Sequence, residues 1–294
     1  MKPESKQLVV TADDAGLHPG MTRGALAAYD AGIVTAVSVS PNGRAFEDAV
    51  ARLRERPGLD VGVHLSLVGE EPLSAPGQVR SLLDARGRLL SGWPAFARRW
   101  LLGGVRPAEV ETELRSQIER LLAAGLAVVH LNSHQHLHVL PGLFEIVLRL
   151  AEEHRIPWVR IPAEPAAAGL PFTPRAAQIA LLNRLGRHAR KRLEAARSVR
   201  TIMRTIGRTV GVLTAGRLTV EALGRALPGV EGIAELVCHP GLGDAALAAE
   251  YDWGYRWDAE TAALCDPRVP ELLRAAGIEL TSFSRLTKTT AAGV

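Results

Sequence analysis

Leu126-Ala127-Val128-Val129-His130-Leu131-Asn132-Ser133-His134-Gln135-His136-Leu137-His138 is an apolar run that passes directly into a histidine cluster. Residues 126–131 have the length and composition of a buried strand. Three of the chain's nine histidines, His134, His136 and His138, follow within five residues of one another. While the backbone stays extended, alternate residues leave it on one side, so these three would stand together. Neutral imidazole binds borderline divalent cations well near neutral pH, and the run therefore predicts a metal site at the carboxyl end of a strand. The structural alternative is a polar loop whose histidines meet carbonyls and water.

The same layout recurs elsewhere. Thr11-Ala12-Asp13-Asp14-Ala15-Gly16 follows the apolar run Leu8-Val9-Val10, and two adjacent carboxylates raise each other's pKa unless a cation or donors separate their tasks. One could bind a metal and leave the other free as a base; the alternative is a turn or helix cap, with Gly16 turning the chain. Leu59-Asp60-Val61-Gly62-Val63-His64-Leu65 again ends in a histidine. Together, Asp14, His64 and His134 make an Asp/His/His set with room for water, the composition of a catalytic rather than a closed structural site.

Short apolar runs at residues 7–11, 35–40, 59–65, 126–132, 157–161, 234–238 and 278–283 read as strands. Helical patterns at 19–31, 46–54, 107–124, 143–154, 219–226, 258–264 and 267–275 lie between them. That alternation predicts a parallel α/β sheet. Asp13, Asp14, His64, His134, Arg160 and His239 sit at carboxyl ends of different strands, and they share one mouth only if the sheet closes into a barrel. No G-x-G-x-x-G turn follows the first strand, which counts against a nucleotide-binding doubly wound fold. At the end of its strand, Arg160 could pair with Asp13 and hold its pKa low, or form a structural salt bridge.

Five motifs occur in a fixed order: T-A-D-D-A-G-L from Thr11, G-I-V-T from Gly32, G-V-H-L from Gly62, L-N-S-H-Q-H-L-H from Leu131 with Pro141 behind it, and C-H-P-G from Cys238. A chain carrying them resembles the YdjC-like carbohydrate deacetylases, and the resemblance covers about residues 7–286. It implies an irregular, TIM-like (β/α) barrel of mostly parallel strands, short of the ideal eightfold pattern. It also implies a divalent metal on Asp14, His64 and His134, Asp13 as catalytic base, and His239 as acid or oxyanion partner. Two positions depart from the pattern. Ala15 stands where Phe is usual, and Asn132 stands where the chitooligosaccharide deacetylase has Asp in its D-S-H-H-H-V-H run. Asn132, taken with V-L-T-A-G-R-L-T from Val212, resembles the branch associated with hopanoid biosynthesis, which implies a lipid-linked amino sugar.

Composition sets the remaining bounds. A 294-residue chain that is 47% hydrophobic can bury one large core, so a single domain over 1–294 is expected, with insertions at about 72–107 and 172–212 and a flexible tail at 287–294. Cys238 and Cys265 form no spaced zinc or redox motif and read as small core residues. Residues 1–7 carry neither a secretory signal nor a membrane span, which points to the cytoplasm. The net charge of +4 comes with no nucleic-acid motif.

Residues 175–208 hold Arg184, Arg187, Arg190, Lys191, Arg192, Arg197, Arg200, Arg204 and Arg208 against Glu194, with apolar residues interleaved. That segment reads either as a helix packed on the barrel or as a surface for anionic headgroups, the latter placing the protein peripherally at the inner membrane face. Trp93, Phe96 and Trp100 read as a lid or as core, and Trp253, Tyr255 and Trp257 as core or as sugar-stacking rings. A homodimer is compatible with all of this.

The expected reaction is hydrolysis of an N-acetyl group from an amino sugar. A metal (Zn²⁺ or Mg²⁺ foremost, Co²⁺ or Ni²⁺ otherwise) would activate water, Asp13 would take its proton, and His239 would protonate the departing amine. His136 and His138 would belong to the pocket wall, unless one of them replaces His134 as ligand. A metal-dependent phosphoesterase and a non-catalytic glycan or glycolipid binder are the alternatives.

Overall fold

The computed structural model describes residues 6–164, 173–197 and 203–291. Strand β1 (Lys6–Ala15) is buried from Leu8 onward. The other strands are β2 (Ala36–Val39), β3 (Asp60–Leu65), β4 (Val128–Ser133), β5 (Trp158–Val159), β6 (Arg208–Val210), β7 (Ile233–Cys238) and β8 (Ile278–Leu280). They lie in the order β5-β4-β3-β2-β1-β7-β6, with β8 against β1, and every registered pair is parallel. Trp158 also bridges to Arg204, whose amide donates to the Pro157 carbonyl at 2.8 Å. The chain entering β6 thus returns to β5 and curls the sheet into an irregular, incompletely closed barrel, the fold class the sequence implied.

Helices α1 (Pro19–Asp30), α2 (Phe46–Arg54), α3 (Trp93–Leu101), α4 (Pro107–Ala123), α5 (Leu143–Glu153), α6 (Pro174–Arg197), α7 (Val220–Ala226), α8 (Asp244–Glu250), α9 (Trp257–Leu264) and α10 (Val269–Ala275) wrap the outside, and α11 (Phe283–Ala291) follows β8. In α4 the buried Val110, Leu114, Ile118 and Leu121 follow the helical period and dock one stripe on the sheet. Each such side chain contributes about 1.5–3 kcal/mol by leaving water.

Strand alternation gives the barrel two faces. Leu8, Val10 and Ala12 of β1 join the outer core beneath the helices, whereas Val9 packs inward with Ala36, Trp158, Ile206, Phe283 and Leu286. The inner face is therefore apolar at the amino ends of the strands, where α11 plugs it. Two and four residues further along β1 the same face carries the buried Thr11 and Asp13. The interior becomes polar toward the carboxyl ends, and that is where a site can form.

Several expectations need correcting. The backbone does not stay extended through the histidine run: β4 ends at Ser133 and a 3₁₀ segment covers His134–Val139, with Gln135 and His136 both at φ +55°. The three histidines therefore do not share one side. Strand β6 begins at Arg208, the last residue of the basic segment, and lies inside the second expected insertion, while Trp93–Leu101 forms a helix within the first. Its Phe96 is core, while Trp100 donates its indole N–H to the Pro141 carbonyl at 2.9 Å. Thr287 is no free tail, because it lies in α11 and its Oγ1 accepts from Trp158 Nε1 at 2.8 Å; residues 292–294 lie outside the described residues.

The basic segment is in large part packed structure. Ile179, Ala189 and Leu193 of α6 are buried, and Gly186 lets that helix approach closely, since a Cβ there would fall 2.2 Å from the Pro162 carbonyl oxygen. Arg192 pairs with Glu145 at 2.6 Å, and Arg175 donates to the Val212 carbonyl at 2.5 Å. Arg200 and Ile202 lie outside the described residues.

Candidate metal centre

Simple alternation would send Asp13 and Asp14 to opposite faces of β1. The register with β2 shifts between Ala12 and Ala15, however, and Asp14 adopts φ +68°. This bulge turns the second carboxylate inward beside the first. His64 comes from the end of β3, where it registers with Asn132, and His134 is the first residue after β4.

Asp14 Oδ1 lies 3.1 Å from His64 Nε2 and 3.1 Å from His134 Nδ1. The three residues each offer a ligand atom within 4.8 Å of the others, the group of this kind found among the described residues. Hydrogen bonding fixes what faces what. Asn132 donates through Nδ2 to Asp13 Oδ1 (3.0 Å) and Ser38 Oγ (2.7 Å), so its Oδ1 accepts the Nδ1–H of His64 at 2.7 Å. His64 Nε2 is then left with a lone pair aimed at a carboxylate oxygen. Two acceptors at that distance repel unless a proton or a cation stands between them. Burial alone would lower the His64 pKa, but Asp13 and Asp14 outweigh it and raise it. Two nitrogens and one carboxylate, converging and oriented from behind, fit a divalent ion.

The other histidines of the run have different work. His138 gives its Nε2–H to the Arg160 carbonyl at 2.7 Å and takes the Ser133 hydroxyl proton on Nδ1 at 2.6 Å, so both nitrogens are occupied. His136 is half-buried, and its Nδ1 has no hydrogen-bond partner among the described residues. Only His134 of the three faces Asp14.

Arg160 does pair with Asp13, through Nη1 to Oδ2 (2.5 Å) and Nη2 to Oδ1 (3.0 Å). Burial opposes ionisation of Asp13, yet the guanidinium overrides it and holds the carboxyl far below the usual carboxylate range. Arg160 also donates through Nε (3.0 Å) and Nη2 (2.8 Å) to Glu235 Oε1, which receives the Thr11 hydroxyl at 2.8 Å. His239 follows β7, where Cys238 registers with Ala12. Its amide donates to Glu260 Oε1 at 2.6 Å, and its Nδ1 stands 4.0 Å from the same oxygen. All six residues expected at the site thus meet at the polar end of the barrel.

Glu235 and Glu260 were not anticipated. Each left a signal, an acidic residue inside an apolar strand (A-E-L-V-C) and on an apolar helix (A-E-T-A-A-L), where a buried charge demands a partner. A cleft of about 360 Å³ opens beside His134, with Asn42, Arg44, Glu70, Arg88 and Trp253 in its wall. The Trp253 ring lies 5.0 Å from that of His134, and Tyr255 stands edge-on to His239 at 5.4 Å, whereas Trp257 is core.

The family model described as YdjC-like protein matches residues 7–275, spanning this centre and all of the sheet except β8 and the first residue of β1. The chain belongs to the YdjC-like family. Among curated relatives, a carbohydrate deacetylase of Brevibacillus brevis is 42% identical over 156 residues, covering 53% of this YdjC-like chain and 59% of that relative. A carbohydrate deacetylase of Xenopus laevis is 37% identical over 160 residues, covering 54% and 51%. The matches therefore span little more than half of either relative. The crystal structure of a proposed cellobiose-phosphate cleavage protein of Enterococcus faecalis shares the YdjC-like chain's fold, with a TM-score of 0.75 and 24% identity over 96% of this chain and 99% of that one. No helix among the described residues is long and apolar enough to cross a membrane.

Proposed function

We propose that this YdjC-like protein is a metal-dependent hydrolase that removes the N-acetyl group from an amino sugar. The observation that carries the reading is the convergence of Asp14, His64 and His134 within one ligand set, directly beside an Asp13 locked by Arg160. The names of the curated relatives support the carbohydrate substrate, and the Trp253 wall supplies a face for a sugar ring.

A divalent ion on the three ligands would supply a water of lowered pKa and polarise the amide oxygen. Asp13 stays ionised throughout the working pH range and keeps lone-pair capacity on Oδ2, where Arg160 Nη1 is the donor among the described residues, so it can accept the water's proton. Arg160 and Asn132 hold that carboxylate in place. His239, whose Nδ1 stands 4.0 Å from Glu260, would hand a proton to the departing amine. Acetate and a free amino sugar are the products.

A two-ion phosphoesterase centre would call for more carboxylates than the single Asp14 in the ligand group found among the described residues. Lipid linkage of the acceptor and contact of the exposed Arg184, Arg187 and Lys191 of α6 with an anionic surface are finer parts of the same reading, tested by co-sedimentation with anionic vesicles. The primary test is acetate release from N-acetylglucosamine substrates, from chitobiose to glycolipid-linked forms. Wild type should release acetate in a chelator-sensitive way, and Asp13→Asn should not. Release that survives chelation, or that persists in the variant, would overturn the mechanism.

A further inference from the structure

The cleft beside His134 has a charge pattern that the deacetylation step does not use. Four carboxylates line it, Glu70, Glu71, Glu250 and Asp252, against the guanidiniums of Arg44 and Arg88. Arg44 is already neutralised by Glu250 at 2.5 Å, and Arg88 Nη2 is turned to the Gly69 carbonyl at 2.6 Å. Glu70 is half-buried, and its carboxylate has neither a hydrogen bond nor an ion pair among the described residues. Burial pushes its pKa up, against the opposing charges of His134, Arg88 and Arg44 nearby. A second acceptor stands in the same wall, because the Oδ1 of the buried Asn42 also lacks a donor among the described residues.

Acceptors without donors beside an indole face are complementary to a ring that brings O–H and N–H groups. They are less complementary to an anion, which would meet Glu70 at short range while Arg44 and Arg88 already hold Glu250 and the Gly69 carbonyl. We infer that this cleft is the subsite for the sugar adjoining the acetamido sugar, that it selects a neutral or ammonium-bearing ring over a phosphorylated one, and that Glu70 is the residue that selects. The inference rests on the deacetylase reading and adds the chemistry of the neighbouring residue to it.

The test uses three disaccharides that share a terminal N-acetylglucosamine and differ in the second ring, which carries a free amine, hydroxyls only, or a 6-phosphate. For wild type, kcat/KM should fall in that order. In Glu70→Gln the preference for amine over phosphate should shrink about tenfold, mainly through KM. Zn²⁺ binding by calorimetry and the melting temperature of the variant should match wild type, which separates lost recognition from a damaged fold. Acetate release with the phosphate sugar preferred, or with a ranking that Glu70→Gln leaves unchanged, overturns the subsite alone. No release from any of the three while Zn²⁺ still binds overturns the deacetylase reading, and the subsite with it.

Discussion

Asn132 holds His64 and Asp13 at once, accepting from His64 Nδ1 at 2.7 Å and donating to Asp13 Oδ1 at 3.0 Å. An aspartate at this position could accept from the histidine, but it would set a second carboxylate against Asp13. The neutral carboxamide serves both neighbours and keeps the lone pair of His64 Nε2 toward Asp14. Asn132→Leu should therefore weaken Zn²⁺ affinity by about 10- to 100-fold, the usual cost of removing a group that orients a metal-binding histidine. Competition with a chromogenic chelator measures this, and an unchanged affinity would show that packing alone orients His64.

The histidine run can be divided by ion stoichiometry. Asp14→Ala and His64→Ala should abolish tight Zn²⁺ binding, whereas His138→Gln should keep one ion per chain, because both nitrogens of His138 are taken by Ser133 and Arg160. Loss of the ion in His138→Gln, measured by equilibrium dialysis, would assign the wrong histidine to the site.

His138 also sets a pH dependence. Burial holds its pKa down to about 4, against 6.5 for the unperturbed side chain. Between those values the unfolded chain binds a proton that the folded chain refuses, so stability falls as pH drops through that window. His138→Gln lacks this term. Its stability deficit relative to wild type should narrow between pH 6.5 and pH 4, by at most about 1.4 kcal/mol per pH unit. Urea denaturation of both proteins at pH 7 and pH 5 gives the comparison, and a constant gap would mean that His138 is charged when folded.

Arg160 bridges two buried carboxylates, Asp13 and Glu235. Arg160→Met leaves both unpaired and should cost about 3–5 kcal/mol. Adding Glu235→Leu should recover part of that loss, because it removes one stranded charge. Equal stabilities of the single and double variants in chemical denaturation would contradict this account.

Gly62 makes room for a buried histidine. A Cβ there would sit 2.3 Å from His130 Nε2, the atom that meets Ser38 Oγ at 3.0 Å. Gly62→Ala should destabilise the fold by about 1–3 kcal/mol through overpacking. A melting temperature equal to wild type would show that the ring can shift at no cost.

Much of this site was legible in the chain because its signals are local. Asp13-Asp14, His64 and His134 each end an apolar run of strand length, so adjacency in sequence was enough to place them at the carboxyl ends of strands. The same periodicity gave the helix over residues 46–54, and motif order gave the family. What could not be read there depends on register and on backbone turns. A bulge at Asp14, rather than alternation, brings two successive carboxylates to one face. Left-handed backbone at Gln135 and His136, rather than an extended chain, singles out His134.

The amino-acid sequence thus determined the class of fold and the candidate ligands, since hydrophobic period and residue chemistry are properties of short segments. The tertiary structure decided which groups serve them, choosing the Asp13 pairing for Arg160 from the two readings open in the chain. Asn132 reaches Asp13 across 119 residues, Arg160 reaches it across 147, and Glu235 closes the network on Thr11 across 224. Such pairings arise only when parallel strands distant in the chain are brought into register, and burial then obliges each charge to meet its partner.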